Sequence, residues 1–255
     1  MQNKRGILIV VNKEDKYASL SDVLIESILK FTNLDIEYVT INFNRTFDNV
    51  RIHTRRINLN LENNENIYYT KLQAAKTSIL DEGFLVDADS VVTPEVVKVF
   101  DNIDRIDGDI LCPLHPQDPH NQLALMKILG IPEKTQPYVH AACFLYSTKS
   151  KSFFDKFFKM YERVKKLNLN DRIYYANYDE TFINLIYWEE KRKTSFMDCC
   201  DPWFGHALAT ENYLEKYPKL IDNIPFNVKE YIWHGCKEVD KARELIKIVS
   251  KKYEN

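Results

Sequence analysis

Apolar and polar positions alternate along the first hundred residues in the order strand, helix, strand, helix, strand. Ile7 to Val11 is an unbroken apolar run, the length of a strand buried on both faces. Leu20, Val23, Leu24, Ile28 and Phe31 then recur at helical spacing with Ser27 on the same face, and Ser19 or Ser21 can cap that helix. Ile36 to Ile41 predicts a second strand. Arg45 to Asn66 is polar, rich in Asn and without Gly, and predicts a long surface excursion. Helical spacing returns from Ile67 to Leu80. Gly83 to Val86 predicts a third strand that runs out into Asp87-Ala88-Asp89. Thr93-Pro94-Glu95 is a helix start, with proline at the first helical position and an acid in the first turn. Asp109 to Pro113 predicts a strand stopped by proline. This succession predicts an α/β sheet of βαβ type.

The second half reads differently. Pro113 to Pro137 carries five prolines and two histidines and predicts a long loop with one short helix, Gln122 to Leu129. A strand from Tyr138 to Tyr146 follows, then an amphipathic helix from Ser150 to Val164 crowded with Phe153, Phe154, Phe157 and Phe158. Further helices are expected from Asp179 to Glu190 and from Lys241 to Tyr253. With no repeat, low-complexity tract or linker, residues 1–255 are expected to form one domain.

Composition narrows the class of partner. The 35 Lys and Arg against 37 Asp and Glu leave a net charge of −2, which gives no electrostatic reason to expect a nucleic acid or an anionic membrane. The apolar run at residues 7–11 is too short for a signal-peptide core, and no run approaches the roughly 18 residues of a membrane span. The five cysteines (Cys112, Cys143, Cys199, Cys200, Cys236) include no C-x-x-C pair. They read as reduced thiols, so a cytoplasmic protein is expected.

Three stretches bear candidate chemistry. In Asp87-Ala88-Asp89 the two acids lie on one side of an extended chain, roughly 6.5–7 Å apart. They stand at the carboxyl end of a buried strand, where open α/β sheets place their ligands. Carboxylates there are costly unless paired, and a divalent cation with a phosphate on its far side meets that need. The plain alternative is an exposed acidic turn before a helix. In Trp233-His234-Gly235-Cys236-Lys237, imidazole, glycine and lysine within four positions suit a metal-bridged diphosphate, although a lone histidine is more often structural. In Asp179-Glu180-Thr181-Phe182-Ile183-Asn184, dipole matching explains an acid at the helix start. It does not explain Asn184 within an apolar stretch, where a ligand hydroxyl is the expected partner.

The order of these motifs resembles the GT-A fold glycosyltransferases, most closely glycosyltransferase family 8, the group of glycogenin and the bacterial lipooligosaccharide galactosyltransferases. The resemblance spans Ile7 to Lys237. It implies a Rossmann-like nucleotide-sugar-binding domain with a mixed central sheet flanked by helices, residues 1–110 forming the nucleotide-binding half and residues 111–255 the acceptor-binding half with a C-terminal segment that closes over the metal. It implies a metal-dependent transferase moving a sugar, with retention, from a UDP-sugar to a glycan, glycolipid or protein hydroxyl. Val11, Asn12 and Tyr17 would hold the uracil, Tyr17 by stacking. Lys71 would reach the donor sugar and phosphates. Asp87, with Ala88 and Asp89, matches the D-x-D motif, and His234 the third ligand of Mn²⁺ (Mg²⁺ as second choice). Gly235 and Lys237 match the segment that closes over the diphosphate. Asp179 and Asn184 match a D-Q-x-x-x-N pattern, with Asp179 and Glu180 as the catalytic candidates.

The chain departs from the family pattern at three places. Glu180 stands where Gln is usual, His140-Ala141-Ala142 where Asn-Ala-Gly is usual, and Glu238-Val239 where Pro-Trp is usual. Two other readings use the same residues. Asp87-Ala88-Asp89-Ser90-Val91 also resembles the nucleophile loop of haloacid-dehalogenase-type phosphatases, which that fold places on its opening strand. A nonenzymatic nucleotide-sugar-binding relative would keep the fold alone. A sugar-phosphate nucleotidyltransferase would need a glycine-rich loop after the first strand, and residues 12–17 contain no glycine.

Overall fold

Strand β1 (Arg5–Val11) takes the centre of a sheet because its unbroken apolar run satisfies both faces at once. In this computed structural model, which describes residues 3–12, 15–59, 66–113, 123–134, 138–167, 178–191, 204–206 and 231–253, β1 pairs in parallel with β2 (Asp35–Ile41) on one side and β4 (Glu82–Val86) on the other. β3 (Ile52–Ile57) adds in parallel outside β2, and β6 (Cys143–Ser147) adds antiparallel outside β4. The order is therefore β3-β2-β1-β4-β6, a mixed sheet flanked by helices.

Alternation along β1 divides the core. Ile7, Ile9 and Val11 face helix α1 (Asp15–Phe31) and the 3-10 helix Pro94–Arg105, meeting Leu24, Ile28, Val99 and Phe100. Leu8 and Val10 face the opposite layer of α2 (Ile67–Lys76), α3 (Leu123–Leu129), α4 (Lys151–Lys165) and α5 (Asp179–Glu189), with Leu72, Phe153, Phe157, Phe182 and Trp188. The Phe-rich face of α4 is core, as its spacing implies. A second sheet orders β5 (Ser90–Val92), β8 (Ile232–His234) and β7 (Phe204–His206). Helix α6 (Val239–Tyr253) lays Leu245, Ile246 and Val249 against Leu20, Val23, Val91 and Trp233.

Several expectations need correction. The polar stretch 45–66 contains strand β3, where only Ile52 and Ile57 are apolar. An edge strand needs no second apolar face, and its Arg55 is fixed by the fully buried Glu37 of β2, whose Oε1 accepts from Nε (2.9 Å) and Nη2 (2.7 Å). The same carboxylate accepts from the Ser78 hydroxyl and the Ile79 N–H. That pull ends α2 at Lys76 rather than Leu80. Residues 109–113 form only a bridge between Leu111 and Leu145. Regular pairing of the expected strand 138–146 is confined to β6; before it, Val139 and Ala141 bond to α5 side chains and the His140 N–H donates to the Pro113 carbonyl. Helix α1 begins at Asp15, before Ser19 and Ser21, and Ser21 donates to the Ala18 carbonyl. The helix after Thr93 is a 3-10 helix. The short strands β5, β7 and β8 were not foreseen, since three residues carry too little periodicity to read.

Gly83 lies directly across from Tyr146, and the phenol covers its Cα. A Cβ at Gly83 would come within 2.1–2.5 Å of ring atoms, while the ring is buried and its hydroxyl donates to Ser78. Gly83→Ala is therefore expected to destabilise the chain by at least the ~1–3 kcal/mol of an overpacked core. Urea unfolding measures the loss; an unchanged midpoint contradicts this packing.

Candidate active site

Parallel β1 leads through α1 to β2 on one side, and the return through α2 enters β4 on the other. The chain direction thus switches between β1 and β4, and their carboxyl ends open a crevice of the kind in which open α/β sheets bind ligands. A cavity of about 300 Å³ lies there. It is lined from β1 by Val10, Val11 and Asn12, from α1 by Tyr17, from α2 by Ile67, Tyr68 and Lys71, and from the end of β4 by Asp87, Ala88 and Asp89. All seven of the foreseen residues before position 90 meet in one place. Tyr17 keeps 37% of its surface exposed. Val10, Ile67 and Tyr68 were missed. Tyr68 lies one helical turn before Lys71, so the i, i+3 rule places it on the same face, and its ring packs against Tyr178 at 4.6 Å between centroids.

His234 reaches this crevice through strand register. β5 follows Asp89 immediately, and its antiparallel pairing with β8 sets Ser90 opposite His234. The imidazole Nε2 consequently stands 3.3 Å from Asp89 Oδ1 and 3.6 Å from Asp87 Oδ2. Gly235 follows with φ +86°, a left-handed conformation that glycine adopts without penalty. That turn lets the Cys236 N–H donate to the Asp89 carbonyl at 2.8 Å. Lys237 is exposed just beyond it. One ligand atom each from Asp87, Asp89 and His234 fall within 4.8 Å of one another. Two carboxylates and an imidazole fit a divalent cation of the Mn²⁺ type.

Behind this group lies Lys71, almost fully buried. Its ammonium is 2.7 Å from Asp87 Oδ1 and 2.8 Å from Asp179 Oδ2, and it donates to the Ala141 carbonyl at 3.3 Å. Burial alone would strip its proton, but Asp179 and Asp87 outweigh burial and hold the ammonium charged well above its ordinary range. Dehydrated surroundings oppose ionisation of Asp87, yet Lys71 and His234 together hold its carboxyl down at about 2. For Asp179 and Asp89 burial prevails, and both are raised. Burial would lower His234, but Asp87 and Asp89 raise it. Asp87 and Asp179 share the one ammonium, and Asp89 beside them has only the His234 imidazole, so the group can take an added cation.

Asp179 and Glu180 open α5. Asp179 Oδ1 accepts from the Glu180 N–H at 2.9 Å. Glu180 is raised to about 7, chiefly by burial. Its Oε2 accepts from the Ala141 N–H at 3.2 Å and lies 3.5 Å from His140 Nδ1. Asn184 is fully buried, and its amide is engaged by backbone: Oδ1 accepts from Val139 N–H (2.8 Å), and Nδ2 donates to the carbonyls of Val139 (2.9 Å) and Glu180 (2.8 Å). These bonds account for a buried asparagine where a ligand hydroxyl was expected. The loop from His115 to His120, Cys199, Cys200, Trp203, the Phe204 side chain and Tyr213 lie outside the described residues.

No protein-family model matches the chain, and no curated protein matches it significantly. Solved structures do. The galactosyltransferase LgtC, in complex with donor and acceptor sugar analogs, aligns with a TM-score of 0.59 at 14% identity over 95% of each chain. An active-site mutant of LgtC with glutamine changed to glutamate aligns with a TM-score of 0.60 at 14% identity, again over 95% of each. The glycosyltransferase GlyE of Streptococcus pneumoniae TIGR4 gives 0.59 at 13% identity, over 98% of this chain and 60% of GlyE. The likeness is one of fold. The chain has the GT-A fold that these glycosyltransferases share.

Lys71→Met would leave Asp179 without its ammonium and Asp87 with His234 as its remaining cationic partner. Removing one partner of a buried ion pair costs about 3–5 kcal/mol. Without the ammonium, burial would raise Asp179 still further above its unfolded value, so its ionised form disfavours the folded state. In EDTA the variant is expected to regain stability as pH falls from 8 to 5. Urea unfolding at the two pH values checks this, and a variant equally destabilised at both contradicts it.

Proposed function

We propose that this chain is a metal-dependent glycosyltransferase that moves a sugar from a nucleotide-sugar donor, a UDP-sugar, to a hydroxyl of a glycan, glycolipid or protein. The observation that carries this reading is the gathering of Asp87, Asp89 and His234 within 4.8 Å at the mouth of the cavity that Val11, Asn12 and Tyr17 line. Residues 1–110 hold the nucleotide, and residues 111–255 supply the acceptor side together with the C-terminal segment of His234, Gly235 and Lys237 that closes over the metal. No helix among the described residues is long and apolar enough to cross a membrane, and a cytoplasmic place fits the buried, reduced thiols of Cys112, Cys143 and Cys236.

In this reading the end of β1 receives the base and Tyr17 stacks on it, a contact worth about 1–3 kcal/mol per base in stacking sites. Asp87, Asp89 and His234 would hold Mn²⁺, or Mg²⁺, which when bound would supply charge stabilisation for the departing diphosphate. Gly235 lets the backbone approach that diphosphate, and Lys237 adds a mobile positive charge. Lys71 fixes the Asp87 carboxylate and joins it to Asp179. The bond between the anomeric carbon and the diphosphate oxygen breaks, a bond to the acceptor oxygen forms with retention, and the acceptor proton leaves. Glu180 would act on this centre, as base for that proton or as nucleophile.

A phosphatase reading has less support. Asp87 ends the fourth strand in chain order rather than the opening one, and one of its oxygens is taken by Lys71.

Two results are expected. UDP with Mn²⁺ should stabilise the chain by about 2.7 kcal/mol at a hundredfold excess over Kd, or roughly 5–10 °C in Tm, and EDTA should abolish the shift. No shift with UDP, GDP or ADP at millimolar concentration would overturn the reading, whereas nucleotide binding without sugar transfer would favour the nonenzymatic relative. Both roles of Glu180 need the ionised carboxylate. Turnover should therefore rise with pH through about 7, and Glu180→Gln should remove that rise. Near-normal turnover in Glu180→Gln eliminates the carboxylate role.

A further inference from the structure

The bonds of Asn184 extend further than the helix that carries it. Its side-chain amide takes both backbone groups of Val139, Oδ1 from the N–H at 2.8 Å and Nδ2 to the carbonyl at 2.9 Å. This is the pairing a neighbouring strand would offer. One helical turn earlier, Glu180 takes the N–H of Ala141 at 3.2 Å. Two side chains spaced i, i+4 on α5 thus grip two residues spaced i, i+2 on an extended stretch. The two periodicities coincide because 1.5 Å per residue over four helical positions nearly matches about 3.3 Å per residue over two extended ones.

The same stretch holds the metal group from its other side. The Ala142 carbonyl accepts from the Asp87 N–H at 2.9 Å, and the Ala141 carbonyl accepts from Lys71 at 3.3 Å. Lys71 in turn fixes Asp87 Oδ1. The His140 ring packs edge-on against His234 at 5.6 Å between centroids. Residues 139–142 therefore touch two of the three ligand residues and the cation behind them, and α5 sets where these residues lie.

We infer that Asn184, assisted by Glu180, is a positioning residue for the Asp87–Asp89–His234 cation site and acts through the backbone of residues 139–142. The inference rests on the metal-binding part of the proposed function. It assigns Asn184 no contact with donor or acceptor. A purely structural asparagine would, when replaced, lower stability and leave cation affinity unchanged. A positioning residue moves cation affinity, and outer-shell partners of metal ligands are typically worth 10–100-fold.

The test is a Mn²⁺ titration of the nucleotide-free full chain, read by the electron paramagnetic resonance of free Mn²⁺. Wild type is measured first. Asn184→Ala is expected to weaken Mn²⁺ binding about 10–100-fold. Should Asn184→Ala fail to fold, Glu180→Ala carries the test, because Glu180 sits at the margin of the core. Glu180→Gln keeps an acceptor for the Ala141 N–H while losing the charge, and should restore wild-type affinity even where turnover is lost. Tyr187→Phe removes a different buried bond of α5, from the Tyr187 hydroxyl to the Ile110 carbonyl; it should lower Tm without changing Mn²⁺ affinity. Wild-type affinity in Asn184→Ala, or in Glu180→Ala where that variant carries the test, overturns the inference. So does equal weakening in Tyr187→Phe. Absence of Mn²⁺ binding by wild type at millimolar concentration overturns the cation site itself, and the positioning role with it.

Discussion

The ammonium of Lys71 sits where three parts of the chain converge. It comes from α2, takes one carboxylate from the end of β4 and another from the start of α5, and touches the carbonyl of Ala141 between them. Each of these acids would resist burial alone, since a charge out of water costs several kcal/mol even after relaxation. Together the two carboxylates share one buried ammonium, and Asp87 carries the pairing onward to His234.

The two sheets divide the work. The five-stranded sheet places Asp87 and Asp89 at the carboxyl end of β4, and its rigidity comes from a core closed on both faces. The three-stranded sheet adds only a few backbone pairs, yet its register alone decides that His234, not Trp233, comes level with Ser90. A slip by one residue would turn the imidazole to the opposite face. The left-handed turn at Gly235 and the Cys236–Asp89 bond hold that register from the other end.

Much of this was legible in the sequence, for physical reasons. A doubly buried strand needs a run like Ile7–Val11, and acids two apart at the end of another strand are expensive without a purpose. The order of the motifs carried the GT-A resemblance. What could not be read was whatever depends on long-range partners. β3 hid in a polar stretch because its arginine is satisfied by a buried glutamate on a different strand. β5 and β8 are three residues each, and only their pairing makes them strands. Asn184 stood out as a polar residue in an apolar helix, but its partner is the backbone of Val139, and a backbone group leaves no mark in side-chain patterns.

Asp89 and His234 are joined across more than half of the chain's length, and this has a consequence for folding. Contacts between distant positions close large loops, and the entropy of closing them must be met before they contribute. β1, α1 and β2 are sequence neighbours and can form early, whereas the β5–β8 pairing that delivers the imidazole belongs to the late steps. Interactions absent from the folding transition state act mainly on the rate of unfolding. A ligand that bridges Asp89 and His234 accordingly works as a clasp: it slows the opening of the finished chain and does little to hasten its assembly.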